Sequence, residues 1–361
     1  MKEGNEKKYA LILAGGKGSR LWPISTTNKP KQYLNLYSDN IMINETIKRI
    51  ENLFEYDDIF VITSIEQKEL AERYIDNRIP RENIIFEPKS KNTAMCIFYA
   101  SIKILEQKGN GTMTILSSDH YIDESEKLLH NIKEGIELAH KEGNLVTIGI
   151  KPTYPATGFG YIKYNYADKL KCNIVEKFKE KPIYEKAKEY IENGKYYWNS
   201  GMFIWEISTI LNNYKKFLPN IYKYKGQIIN CLRNKKDMLE NIYEKVEAIS
   251  IDKGILEKSK HIKMIKGEFK WLDIGSINDF FKIQENDLDN NVKKGNIIDK
   301  DIENCNIYND DNNTLIAIVG TKGLNIIKSN NVILIANKDK MGELPNLIEK
   351  IKCDKELKKY L

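Results

Sequence analysis

The residues best placed to do chemistry stand near the start of the chain. A short apolar run from Tyr9 leads into AGGKGSRLWP, Ala14 to Pro23. Gly15, Gly16 and Gly18 let the backbone pass close to a ligand while its amide groups point at phosphate oxygens. This is not the dinucleotide fingerprint, which would need glycine where Leu21 stands, and not a Walker loop, because Gly18 follows Lys17. Arg20 and Lys31 bracket a turn-rich stretch holding Pro23 and Pro30, an arrangement that sets two cations beside one polyphosphate. Phosphoryl or nucleotidyl transfer is the chemistry this pattern suits. Far along the chain, Asp119 follows a strand-like run and Asp273 lies in WLDIGS. Two carboxylates with substrate phosphates and water would suit Mg²⁺, a hard cation that retains water, although a lone Asp after a strand is more often a cap or turn residue. His120 is read as a positional or hydrogen-bonding group, and His130, His140 and His261 show no zinc spacing.

The elements that must carry these residues are legible as short apolar runs separated by amphipathic stretches: YALILA, IFVIT, NIIFE, TMTILSS and LVTIGI. Such runs suit buried parallel strands. Leu129, Ile132, Ile136 and Ala139 recur three or four apart, which predicts a helix from about Asp123 to Gly143. Strand, helix, strand repetition predicts an α/β fold with a doubly wound, mostly parallel sheet. After Ile150, GYIKY, IVEKFK and GMFIW are irregularly spaced and read as a substrate-binding insertion within the same domain. The polar run NDLDNN marks a boundary, with a catalytic domain expected over 1–288 and a small β domain with a terminal helix over 289–361.

The 361 residues are 41% hydrophobic and 30% charged, a globular composition rather than a disordered one. The net charge of +6 is mild, and much of the Lys stands beside Glu or Asp in helical stretches, so nucleic acid is not expected as a partner. Five scattered cysteines suit a reduced, cytoplasmic chain. No run approaches the ~18 apolar residues of a membrane span.

LILAGGKGSRLWPIS followed by PKQYL resembles the signature of the sugar nucleotidyltransferases. FEPKSKNTA, LSSDHYI, GIKPTYPATGFGYI, EKFKEKP, WNSGMF, SIDKGILEKS and WLDIGS are together similar to the mannose-1-phosphate guanylyltransferase branch, in order and over almost the whole chain. The resemblance implies a nucleotide-diphospho-sugar transferase sheet of GT-A-like type and a C-terminal left-handed β-helix. It implies transfer of GMP from GTP to mannose 1-phosphate with Mg²⁺ held by Asp119 and Asp273, and with Arg20, Lys31, Asp119 and Lys181 as catalytic residues. The nucleotide falls to Ala14, Gly15, Gly16, Gly18, Ser19, Arg20, Glu87, Asn92, Thr93 and Ser117, and the sugar phosphate to Gly158, Glu180, Lys181 and Asn199. Read from the residues alone, Asn92 or Thr93 could equally cap the helix that follows them.

Lys253 stands where that branch commonly has an aromatic, and Ile277 where it commonly has tryptophan. Both departures touch sugar-side or supporting positions, which keeps another sugar 1-phosphate, such as a heptose, in view. A silent sugar-nucleotide sensor is the rival from another class, and the presence of Arg20, Lys31, Asp119 and Asp273 weighs against it. The chain ends before the cupin-type isomerase domain of longer relatives, so no isomerase activity is expected. A homodimer through the β domain is an open expectation.

Overall fold

The computed structural model describes residues 6–16, 18–167, 172–234 and 238–361. They form two compact units: Met1–Gly15, Thr46–Ser118 and Ile122–Trp271 in the first, and Gly16–Glu45, Asp119–Tyr121 and Leu272–Leu361 in the second.

The first unit is built on nine strands: β1 (Lys8–Leu13), β2 (Ile59–Ser64), β3 (Ile84–Glu87), β4 (Thr112–Ser117), β6 (Leu145–Ile150), β7 (Tyr161–Ala167), β8 (Cys172–Lys179), β9 (Tyr196–Glu206) and β10 (Ile262–Gly267). The short strand β5 (His120–Ile122) comes between β4 and β6 in the chain. The sheet order is β3-β2-β1-β4-β9-β6-β10-β8-β7. The apolar runs legible in the sequence are β1, β2, β3, β4 and β6. The first four pair in parallel, with Leu11 opposite both Phe60 and Ile115. β6 runs the same way, because it and β4 are both antiparallel to β9.

The segment read as an insertion within the same domain completes this sheet. GMFIW belongs to β9, in the middle of the sheet, while β7 and β8 extend its edge. Met202, Phe203, Ile204 and Trp205 are all buried, so their continuous apolar run satisfies two packed faces at once. The helix expected near residues 123–143 spans Ser125–Glu142. Gly143 ends it in a left-handed conformation (φ 60°) that glycine adopts without strain, its N–H donating to Ala139 O. Leu128, Ile132, Ile136 and Ala139 are its buried apolar side chains, and Leu129 stands half-buried beside them.

The second unit contains β11 (Trp271–Asp273) from Leu272 onward, and six short strands: β12 (Val292–Lys294), β13 (Ile297–Lys300), β14 (Asn306–Asn309), β15 (Ile316–Val319), β16 (Leu324–Ser329) and β17 (Val332–Asn337). β12, β14 and β16 pair in parallel, as do β13 and β15, while β17 returns antiparallel against β16. Ile302, Cys305, Ile307, Ile318 and Ile326 fill the space within this strand-rich region. A larger core joins Leu21, Trp22 and Ile24 to Ile274, Phe280, Tyr308, Ile327 and Ile348. In that core the segment after the glycine loop buries its apolar side chains among residues from beyond Leu272. No helix among the described residues is long and apolar enough to cross a membrane.

Candidate active site

In the second unit, Lys31 lies between the two carboxylates singled out from the sequence. Its Nζ is 2.9 Å from Asp119 Oδ2 and 3.2 Å from Asp273 Oδ1. Its side chain is 5% exposed, whereas those of Asp119 and Asp273 are 31% and 32% exposed, so the carboxylates face solvent while the ammonium is covered. Asp119 directly precedes β5 and Asp273 ends β11, and these two short strands pair with each other. The pairing brings together residues 154 positions apart in the sequence.

Burial acts to lower the Lys31 ammonium's pKa, but Asp119 and Asp273 outweigh it and hold it above the ordinary lysine value. Burial acts to raise the Asp119 carboxyl, and Lys31 followed by His120 holds it below the usual carboxylate range. All of the charge in this pair is therefore present across the neutral range. Stability from Asp119 is lost only as pH falls through its depressed pKa, and stability from Lys31 only as pH rises through its elevated one.

Lys31 is tied to the glycine loop. Gly18 has φ 63°, and a Cβ there would lie 2.8 Å from Lys31 Cβ and from Ser25 Oγ. Gly15 and Gly16 face open space, where a Cβ would meet nothing within 4 Å. The glycine at 18 is thus required by the fold, while those at 15 and 16 leave the backbone uncovered for a ligand. Arg20 is exposed, with its Nη2 3.6 Å from the position a Cβ would take on Gly275, two residues after Asp273. Lys17 and the side chain of Ser19 lie outside the described residues.

Asp119, His120 and Asp273 each offer a ligand atom, and these atoms lie within 4.8 Å of one another. Two half-exposed carboxylates beside a buried imidazole, already holding a cation between them, fit a hard divalent ion completed by phosphate oxygens.

The other expected residues belong to the first unit. Ala14, at the end of β1, is buried, with its N–H donating to Ile62 O and its carbonyl accepting from Thr63 Oγ1. Ser117 ends β4, half-buried and opposite Leu13. Asn92 is exposed with φ 64°, and its Oδ1 accepts the Thr93 N–H. Thr93 Oγ1 accepts from Ile251 N at 2.9 Å, so it anchors a distant loop rather than capping its own helix. Glu87, expected beside a guanine, is 6% exposed, and its carboxylate accepts from Tyr243 OH at 2.9 Å. Burial, opposed by Tyr243 and Cys96, pushes its carboxyl up to about 7. Glu87 is thus an interior group that supports the end of β3.

The expected sugar-side residues converge in part. Glu180 is 11% exposed, with Oε1 3.3 Å from the exposed Lys181 ammonium. Lys181 has φ 45°, a conformation that costs a non-glycine residue free energy. Asn199, on β9, donates through Nδ2 to Asp252 Oδ1 at 2.9 Å. Gly158 is exposed with nothing crowding it, and the demanding glycine is Gly160, where a Cβ would fall 2.6 Å from Glu180 Oε2. Sequence reasoning passed over Gly160 and Asp252. Both lie inside segments already quoted for their motifs, but only packing distinguishes them from their neighbours.

A glycine loop beside a cation held by two carboxylates is the apparatus of a phosphate-handling transferase. The profile of the family described as nucleotidyl transferase matches residues 9–290. The chain belongs to that family. It is 33% identical over 353 residues to a mannose-1-phosphate guanylyltransferase of Salmonella montevideo, covering 95% of this chain and 74% of that relative. A protein of the same name from Escherichia coli is 30% identical over 348 residues, covering 94% and 74%. A solved structure from Thermus thermophilus, titled a mannose-1-phosphate geranyltransferase, superposes with a TM-score of 0.87 at 28% identity, covering 96% of this chain and 99% of that one.

Proposed function

We propose that this chain transfers GMP from GTP to α-D-mannose 1-phosphate, giving GDP-mannose and pyrophosphate. The observation that carries the reading is Lys31, buried between Asp119 and Asp273 beneath the glycine loop. Similarity to guanylyltransferases over 95% of the chain supports the choice of base and sugar. A phosphate oxygen of the sugar 1-phosphate attacks the α-phosphorus of GTP, and the bond to the bridging oxygen breaks as pyrophosphate leaves on the opposite side. The attacking oxygen is already anionic, so no general base and no covalent intermediate are needed. Alignment and neutralisation of charge shifting toward pyrophosphate then supply the catalysis.

Mg²⁺ held by Asp119 and Asp273 would neutralise phosphate charge as a Lewis acid. The backbone at Gly15, Gly16 and Gly18, with Ser19, cradles the triphosphate. Arg20 and Lys31 bind its negative charge, and Lys181 offsets repulsion from the incoming sugar phosphate. Ala14, Asn92, Thr93 and Ser117 belong to the nucleotide side, with Glu87 acting from behind. Gly158, Glu180 and Asn199 belong to the sugar side.

In this reading residues 1–288 are the doubly wound GT-A-like catalytic region. Residues 289–361 are a β domain whose short in-step parallel strands are coils of a left-handed β-helix. Free Cys96, Cys231, Cys305 and Cys353 suit the cytoplasm. Exposed Ile333 and Ile335 on the edge strand β17 suit a homodimer, which light scattering would detect.

The test is Mg²⁺-dependent pyrophosphate release, crossing five nucleoside triphosphates with mannose, glucose and heptose 1-phosphates. GTP with mannose 1-phosphate is expected to lead. Another leading pair overturns the base or sugar assignment, and no turnover with any pair overturns the enzymatic reading.

A further inference from the structure

Asp252 opens a single π-helical turn, Asp252–Leu256, a form that recurs at functional sites. Its backbone is held on both sides. Ile251 N donates to Thr93 Oγ1, Ala94 N donates to Ile249 O at 3.1 Å, and Glu257 N donates to Asp252 O at 2.8 Å. The residue as a whole is only partly covered.

Around it stand residues from three other segments. Asn199 of β9 donates Nδ2–H to Asp252 Oδ1, and its own Oδ1 accepts from Gly201 N at 3.2 Å. Both ends of that carboxamide are therefore committed to the protein, and Asp252 sets which end is which. The charges of Glu180 and Lys181, in the loop after β8, act on Asp252, and the Glu180 N–H donates to Glu257 Oε1 at 3.1 Å. Gly160 gives the Glu180 carboxylate its space. Burial and then Glu180 push the Asp252 carboxyl up to about 7, against Asn199 and Lys181. Near neutrality it can therefore donate as well as accept.

We propose that Asp252 is a positioning residue of the sugar-phosphate site, fixing the Asn199 carboxamide beside Glu180 where the hydroxyls of a pyranose 1-phosphate bind. This rests on the sugar 1-phosphate reading above. It also gives a role to the acid in SIDKGILEK, where Lys253 beside it is exposed.

The experiment measures KM and kcat for mannose 1-phosphate and for GTP by pyrophosphate release. Asp252→Ala is expected to raise the sugar-phosphate KM about tenfold or more, with the GTP KM within about twofold, the size of one lost charge-assisted hydrogen bond. Asp252→Asn keeps an acceptor for Asn199 and should stay within about threefold of the parent. Asn199→Ala should raise the same KM, and adding Asp252→Ala to it should change little further. Asp252→Ser replaces Asp252→Ala if the latter does not fold. An unchanged sugar-phosphate KM, equal losses for both substrates, or additive effects of the two substitutions overturn the proposal while the parent remains active. A parent that releases no pyrophosphate with any sugar 1-phosphate overturns the functional reading, and the proposal falls with it.

Discussion

Lys31 is the residue to whose setting the structure adds most. Its spacing from Arg20 suggested a cation beside a polyphosphate, and in the folded chain it also neutralises two carboxylates 2.9 and 3.2 Å away. Removing it leaves like charges facing each other. Lys31→Ala should destabilise the ion-free protein by roughly 1–3 kcal/mol, discounted because both carboxylates are about a third exposed. Millimolar Mg²⁺ should then raise the melting temperature of the variant more than that of the parent. An equal rise in both would show that the ion does not share the Lys31 site. Arg20, exposed beside the Asp273–Gly275 turn, has no such structural duty. Arg20→Ala should leave the melting curve unchanged and slow pyrophosphate release roughly 100- to 1,000-fold, the usual loss for one transition-state donor. A drop of tenfold or less would remove it from the reacting centre.

The strand-to-loop junction after β1 shows how an element enforces chemistry. Gly18 combines a left-handed φ of 63° with a 2.8 Å approach to Lys31 Cβ, and Gly16 has neither constraint. Gly18→Ala should therefore cost roughly 1–3 kcal/mol and displace Lys31, lowering both melting temperature and turnover. Gly16→Ala should keep its stability within about 0.5 kcal/mol and weaken GTP binding instead. Paired thermal melts and GTP titrations of the two variants separate these effects. At the same scale β1, β2, β3, β4, β6 and the helix Ser125–Glu142 were legible, because each is a continuous apolar run or a clean three-four repeat. β9 was not placed, because nothing in GMFIW says which neighbours it will have. It enters between β4 and β6 through pairings with residues some 90 and some 55 positions away, such as Thr112 with Glu206 and Thr147 with Phe203.

Across the whole molecule, buried acids couple stability to pH. Glu87 is raised to about 7 from an ordinary 4.5, chiefly by burial. A raised carboxyl contributes stability that is complete below the unfolded-state value and lost as pH rises through the folded one. The window is therefore about pH 4.5 to 7, and the effect is roughly 3 kcal/mol for this group. Glu87→Gln cannot ionise, so its stability relative to the parent should be greater at pH 8 than at pH 5, as read from urea midpoints at each pH. The variant would keep the slope from Asp252, which is raised from an ordinary 3.8 to about 7. A constant difference between variant and parent would mean that Glu87 titrates normally. The sequence by itself determined the alternation of strands and helices, the glycine-rich loop and the types of residue on offer for chemistry, because periodicity and residue chemistry are local properties. Only the tertiary structure decided that Lys31 closes on Asp119 and Asp273, that Glu87 points inward to Tyr243, and that Asn199 leans on Asp252. Those contacts join residues from 53 to 242 positions apart, and their partners are fixed by strand order and core packing, which no local pattern of residues encodes.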